Sequence, residues 1–315
     1  MAFPDTNPIW QIIVNPNALT KARKILEEQF LQQLKALHIS YVIHEANGTG
    51  VGTSIAQQLC QQGCHYLMII GGDGSINEVV NGIYASGIDP TTLFLAIVPL
   101  GTGNDFCRTL AYPKREQIHI IPQSLQANNF KPVDIGKVEI LHEEQITNKR
   151  YFINIAGFAF DAHVIKATCG RKPKFLPNAV YLTKLLKVLF HFKPIKVTVH
   201  TPQNTFTTST FTIAIANAQF NGNGMRQAPM ADPTDGQLDV VLIRKLSPFK
   251  VLANVKKLYA GKHIHLKEVA ISRTNFVELS SPQTLYGEVE GEMLPTGNYR
   301  ISVESKKLNV LSFLP

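Results

Sequence analysis

The sequence predicts two domains of different class: an α/β domain on a doubly wound, mostly parallel sheet, and after it a mostly β domain, sandwich or barrel. Three observations carry that reading. The chain has 315 residues, more than the ~100–200 usual for one domain. Strand-like and helix-like patterns alternate up to about residue 110, the arrangement that pairs strands in parallel. From about residue 130 the helical periods fade and period-2 segments take over.

Taken in order, residues 9–15 (IWQIIVN) are a short apolar run ending at an Asn-Pro turn, as a buried strand does. Residues 21–38 place Leu26, Phe30, Leu34 and Leu37 on one helical face. ISYVIH (39–44) reads as a strand, and 53–62 as a helix with Ile55, Ala56, Leu59 and Cys60 inward. HYLMII (65–70) is a strand, SINEVVNGIYAS (75–86) a helix and LFLAIVP (93–99) another strand. The later strands are 196–200, 210–216, 238–244, 269–272, 275–280, 299–303 and 309–313, all assigned to the second domain. The boundary falls within Phe130–Lys137, which gives domains 1–134 and 135–315 and leaves the C-terminal tail able to pack back on the first.

Apolar residues make up 44% and charged ones 17% of the chain, an ordinary folded composition. No apolar run approaches the ~20 residues of a membrane span. The start, Met-Ala-Phe-Pro-Asp, lacks the basic and apolar regions of a signal peptide. A cytoplasmic protein is therefore expected, with Cys60, Cys64, Cys107 and Cys169 as reduced, mostly packed thiols. The net charge of +8 is uneven: residues 164–196 hold Lys166, Arg171, Lys172, Lys174, Lys184, Lys187, Lys193 and Lys196 and no acid. Such a block is a solvated face or a surface for nucleic acid or an anionic membrane.

Two glycine-bearing loops follow predicted strand ends, where ligands of doubly wound sheets bind. In Gly71-Gly72-Asp73-Gly74-Ser75 the glycines let backbone approach a phosphate, and the following helix N-terminus adds its dipole. The loop is no dinucleotide fingerprint, because position 77 is Asn. By itself it is equally a tight turn. A carboxylate beside phosphate, Asp73, calls for a cation between them, and Mg²⁺ is the expectation. The second loop, Pro99-Leu100-Gly101-Thr102-Gly103-Asn104-Asp105, again offers flexible backbone, a hydroxyl and a carboxylate; Asp105 is alternatively the cap of a helix over 106–111.

GGDGSINEVVNGI (71–83) followed by VPLGTGNDFCRTL (98–110) resembles the diacylglycerol kinase catalytic domain in its bacterial soluble branch. VNP (14–16), VDIGKV (133–138), YFINIAGFAFDA (151–162) and the segment 216–243 resemble further motifs of that family, in order, over nearly the whole chain. The resemblance implies a NAD-kinase-like α/β domain, a C-terminal β-sandwich and an active site in the cleft between them. It places ATP on Asn15, Gly71, Gly72, Asp73, Gly74, Ser75, Gly101, Thr102 and Asn104, with Glu292 added from the C-terminal motif. It implies an acidic, Mg²⁺-linked set of Asp73, Asp105 and Asp134. A second, structural Mg²⁺ is implied in the loop from Asp232 to Gln237, with Asp235 as side-chain ligand.

One departure stands out. Where the family has Asp-Gly-Glu, the Asp being the proposed base, this chain has Glu290-Gly291-Glu292. Reference pKa values of Asp and Glu differ by only about 0.4, but the side chain is one methylene longer. Glu288 is an alternative base, one strand period away on the same face; an exposed hairpin Glu is the reading without chemistry.

The implied activity is an ATP- and Mg²⁺-dependent lipid kinase acting on a hydroxyl of a membrane lipid such as diacylglycerol, with Glu290, Asp73 and Asp105 as catalytic residues. Its alternative is a lipid- or nucleotide-binding protein whose base is lost. NAD and sugar-phosphate kinases share the first loop but not the second. The partner expected of 164–196 is an anionic membrane, making the protein peripheral there. Its stripe Leu182, Leu185, Leu186 and Leu189 is alternatively core packing. Nucleic acid is not expected, since no reading module accompanies the cations, and a homodimer is left open.

Overall fold

The structure is a computed structural model that describes residues 8–16, 20–168 and 178–314. The first compact unit is formed by Met1–Ile135 with Glu304–Pro315, the second by Gly136–Val303.

The first unit runs β1 (Trp10–Val14), α1 (Lys21–Ala36), β2 (Tyr41–Glu45), α2 (Val51–Gln61), β3 (Tyr66–Gly71), α3 (Asp73–Ala85), β4 (Phe94–Pro99), α4 (Asp105–Thr109), α5 (Ile121–Gln126) and β5 (Phe130–Val133). Every residue of β3 and β4 is buried, as continuous apolar runs are in a parallel sheet covered on both faces. The strand order is β2-β1-β3-β4-β17-β5, where β17 (Leu308–Leu311) comes from the tail. All neighbours are parallel except β17 and β5. Thus the strand expected at 309–313 belongs to the first sheet, not to the β domain. Its Leu308, Val310 and Leu311 are fully buried, and Asn309 Nδ2 donates to the Thr91 and Leu93 carbonyls at 2.8 and 3.1 Å. The slot between β4 and β5 pairs both edges of this short strand, which leaves none of its backbone groups on an open sheet edge.

The second unit runs β6 (Gly136–His142), β7 (Gln145–Phe152), β8 (Ile155–Ala159), α6 (Phe160–Thr168), α7 (Asn178–His191), β9 (Ile195–His200), β10 (Thr205–Ala216), β11 (Leu238–Arg244), α8 (Pro248–Tyr259), β12 (Val269–Thr274), β13 (Phe276–Ser280), β14 (Gly287–Val289), β15 (Glu292–Met293) and β16 (Asn298–Val303). The sheet is antiparallel, in the order β15-β14-β8-β10-β9-β13-β16-β6-β7, with β11 and β12 added beside β10. One core cluster takes inward side chains from nine of these strands, among them Phe152, Phe158, Val197, Ile215, Val277 and Tyr299. Helix α8 has no counterpart among the sequence expectations.

The stripe on α7 divides. Leu185 and Leu189, with Val188, pack against Phe160, Val164 and Phe211, so these leucines are core. Of the basic segment, Arg171, Lys172 and Lys174 lie outside the described residues, as does Cys169. No disulfide occurs among the described cysteines, and Cys60 and Cys107 are buried; burial pushes the Cys60 thiol up to about 12.

Candidate active site

β3 and β4 lie side by side with Gly71 opposite Pro99, so the loops that leave them are neighbours. Their backbones touch: a Cβ added to Gly72 would stand 2.7 Å from Gly101 Cα, which only a glycine pair tolerates. Beyond the contact, Gly72 carries straight into α3, whose carbonyl turn is closed by the Ser75 and Ile76 amides. The preceding first-turn amides have no intrahelical acceptor and suit a phosphate. Gly74 faces open space, with nothing within 4 Å of an added Cβ.

The second loop is braced from within. Asn104 sits at φ 56°, and its Nδ2 donates to the Pro99 carbonyl at 3.0 Å. Its Oδ1 is buried without a hydrogen-bond partner. Asp105 is not the cap of α4: Asn104 holds that position without a side-chain bond, and the Phe106 amide donates to Asp73 Oδ1 at 3.2 Å. A carboxylate from the first loop thus caps the helix of the second. Burial raises the Asp73 carboxyl above its ordinary value, the charge of Asp105 raises it further, and the amides of Phe106, Asp105 and Asn104 pull it back. Asp105 is itself buried, with Arg108 Nε 3.5 Å away. Two desolvated carboxylates repelling each other fit a divalent cation shared with phosphate oxygens; Mg²⁺ is commonly held by one or two carboxylates plus phosphate and water. Asp134 is placed otherwise: fully buried, it pairs with Lys307 Nζ at 2.8 Å. No group of three or more His, Cys, Asp or Glu that could hold a metal occurs among the described residues.

Two residues escaped the sequence reading. Arg115 Nη2 donates to the Gly101 carbonyl at 2.7 Å, and Arg23 Nη2 donates to Thr102 Oγ1 at 3.4 Å. Burial and the nearby Arg115 charge lower the pKa of Arg23. Two guanidiniums gathered at one glycine loop are the electrostatic counterpart of an anion. A signal was present: α1 opens with Lys21, Arg23 and Lys24 and no acid in its first turn, against the dipole's preference. At the end of β1, Asn15 Oδ1 is buried and unpartnered; residues 17–19 after it lie outside the described residues.

In the second unit Glu290 and Gly291 form the two-residue turn between β14 and β15, at φ 53° and 81°. That is the primed hairpin geometry, which suits Asn, Asp and Gly, so Glu290 occupies a position where the shorter acid is at home. One carboxylate oxygen accepts from the Ile153 and Asn154 amides at 3.1 and 2.7 Å, which fixes its direction. Glu288 does not share its face, because the turn breaks the strand period after Val289. Glu288 is buried beside Asp161, its Oε2 accepting from the Gly291 amide at 2.7 Å. Burial and then the Asp161 charge push its carboxyl up to about 8. A neutral acid at pH 7 is a poor candidate for the base. Glu292 pairs with Arg150. Asn154 Oδ1 is buried without a partner beside the Glu290 cradle, a feature no sequence period announces.

The loop expected to hold a structural metal has its charges answered by protein. Asp232 Oδ1 accepts from the Thr234 amide and hydroxyl at 3.0 and 2.7 Å. Asp235 Oδ1 accepts from the Gln237 amide at 2.9 Å, and its Oδ2 lies 3.3 Å from Arg273 Nη1. Arg273 Nε also reaches the buried Asp239 at 3.5 Å. A guanidinium between two carboxylates leaves a donor set that does not fit a metal.

Comparison with known proteins adds the family level. The model of the diacylglycerol kinase catalytic domain matches residues 10–138, and that of the YegS C-terminal NAD kinase beta sandwich-like domain matches 155–312. The chain is 26% identical over 291 residues to a diacylglycerol kinase of Bacillus subtilis, covering 90% of this chain and 91% of that protein. It is 30% identical over 245 residues to a Shewanella frigidimarina protein named "Probable lipid kinase YegS-like", covering 77% and 74%. Among solved structures, a diacylglycerol kinase from Bacillus anthracis superposes with a TM-score of 0.71 at 17% identity, covering 97% of each chain. Yeast NADH kinase superposes with a TM-score of 0.57 at 12% identity, covering 98% of this chain and 85% of that one. These structural likenesses bear on the fold.

Proposed function

The chain belongs to the diacylglycerol kinase family of lipid kinases, and from that premise we propose that it transfers the γ-phosphate of ATP to a hydroxyl of a membrane lipid, diacylglycerol being the first acceptor to test. The observation that carries the reading is the backbone contact between Gly72 and Gly101. It joins two amide-bearing loops into one cradle, with Asp73, Asp105, Arg23 and Arg115 around it.

In this reading the loop amides and the α3 N-terminus bind the phosphates, and Ser75 and Thr102 add hydroxyl donors. Arg115 and Arg23 balance phosphate charge, while Asn15 and Asn104 offer buried acceptor oxygens to the nucleotide. Mg²⁺, when bound by Asp73 and Asp105, supplies positive charge to the phosphate oxygens. Glu290, held by two amides, accepts the proton of the attacking hydroxyl. Most of the rate then comes from positioning and electrostatics, as phosphoryl transfer generally requires.

The test is incubation of the protein with radiolabelled ATP, Mg²⁺ and a total lipid extract, followed by identification of the labelled species. A single lipid class gains label, and Asp73→Asn lowers the rate by about 10²–10³-fold, the size of losing one preorganised electrostatic group. Undiminished transfer by Asp73→Asn would overturn the site; no labelled lipid from the wild type would overturn the activity.

A further inference from the structure

Helix α8 is held in shape but not buried. Ser247 caps it, its Oγ accepting from the Lys250 amide at 3.3 Å, and Pro248 opens it, yet none of its residues is fully buried. Val251 faces inward toward the cluster of Phe160, Val164, Leu189 and Phe211. Outward, Phe249, Leu252, Val255 and Tyr259 are 37–73% exposed. At 3.6 residues per turn these four fall within an arc of about 120°, the width of a helix face that normally meets a core. The patch continues onto α7, whose exposed Phe190 meets Phe249 edge to face at 5.6 Å.

The charges around the patch have one sign. Residues 240–267 contain no Asp or Glu. Lys256 projects within the apolar arc and Lys257 lies about 80° beyond its edge, both exposed, with exposed Lys262 and Lys267 following and Lys187 and Lys193 exposed on and after α7. Lys250 is engaged with Glu268 at 2.6 Å and adds nothing. A second copy of this chain fits badly, because a twofold contact through the patch would bring its lysines against their own counterparts. A bilayer bearing anionic lipids satisfies both features at once. Aromatic and aliphatic side chains enter the headgroup boundary, and the lysine stems lie along them with ammonium groups at the phosphates.

We propose that the outward face of α8, with Phe190 of α7, docks this protein on an anionic lipid bilayer. The proposal rests on the lipid-kinase reading, which puts the acceptor in such a bilayer. It moves the expected membrane contact away from Leu185 and Leu189 of α7, which are committed to the core.

The experiment is cosedimentation with phosphatidylcholine vesicles, with and without phosphatidylglycerol, for the wild type, Phe249→Ser/Tyr259→Ser and Lys256→Gln/Lys257→Gln. The wild type partitions onto the phosphatidylglycerol vesicles and loses binding as salt rises. Each double variant loses about tenfold or more of that partition. All keep the wild-type thermal midpoint, since the altered side chains leave the core untouched, and wild-type transfer to a detergent-dispersed lipid. Equal binding by the variants, or wild-type binding indifferent to phosphatidylglycerol, would overturn the docking face. So would a wild-type dimer in sedimentation that Phe249→Ser dissociates, which would assign the patch to a second copy. Failure of the detergent assay with vesicle binding intact strikes the kinase reading alone.

Discussion

Glu288 keeps its carboxyl inside β14 beside Asp161, where burial and a like charge push it up to about 8. In the unfolded chain the same group ionises near its ordinary 4.5. Between those values the folded state holds a proton that the unfolded state has released, so stability is fullest below 4.5 and is lost as pH rises through about 8. Glu288→Gln copies the neutral acid. Its thermal midpoint should fall less than that of the wild type between pH 6 and pH 9; parallel curves would mean that Glu288 ionises normally in the fold. In the first unit, Arg23 and Arg115 serve one loop, and their role is charge rather than packing. Arg23→Gln/Arg115→Gln should raise KM for ATP about tenfold, ~1.4 kcal/mol of binding, with a smaller change in kcat. Steady-state kinetics with varied ATP separates the two constants, and an unchanged KM would remove the arginines from the phosphate site. Neither pair was legible in the sequence. Glu288 and Asp161 are 127 positions apart in number, Arg23 and Arg115 are 92, and no local period links them.

β12 enters the second unit's chemistry through one side chain. Its Arg273 stands against Asp235 and the buried Asp239, where the family resemblance implied Mg²⁺. Removing the guanidinium leaves a desolvated carboxylate without its partner. Because Arg273 is partly exposed, the loss is discounted toward the surface range. Arg273→Gln should cost about 1–2 kcal/mol of stability, read by denaturant unfolding, while EDTA leaves the wild-type midpoint in place. A midpoint that falls with EDTA in the wild type would restore the metal to this loop. The motif in 216–243 carried the acids but not the answer to their charge, which comes from a strand some thirty residues on. At the same scale, the β14–β15 hairpin shows why Glu290 and Glu288 diverge. Reading them as one strand face presumes a strand that continues, and two positive φ values end it at Val289.

The molecule closes its first sheet with its last residues. Leu308, Val310 and Leu311 are wholly buried between β4 and β5, and burying each is worth ~1.5–3 kcal/mol. Their sum is comparable with the ~5–15 kcal/mol that holds a whole domain together. A chain ending at Val303 should therefore lose the cooperative unfolding of the first unit in calorimetry, and ATP binding with it; a shortened chain with an unchanged transition would show β17 to be dispensable. The amino-acid sequence by itself determined the class of each part and the loops that carry the chemistry. Parallel strands need continuous apolar runs, antiparallel ones alternate, and backbone meant to approach a phosphate must be glycine; all of these are local demands. Only the tertiary structure decided that Gly72 rests on Gly101, that Asp73 caps the opposite loop's helix, that two arginines join them, and that α8 turns an apolar face outward. Each of these depends on which distant residues meet and on what burial does to their charges, and a one-dimensional pattern records neither.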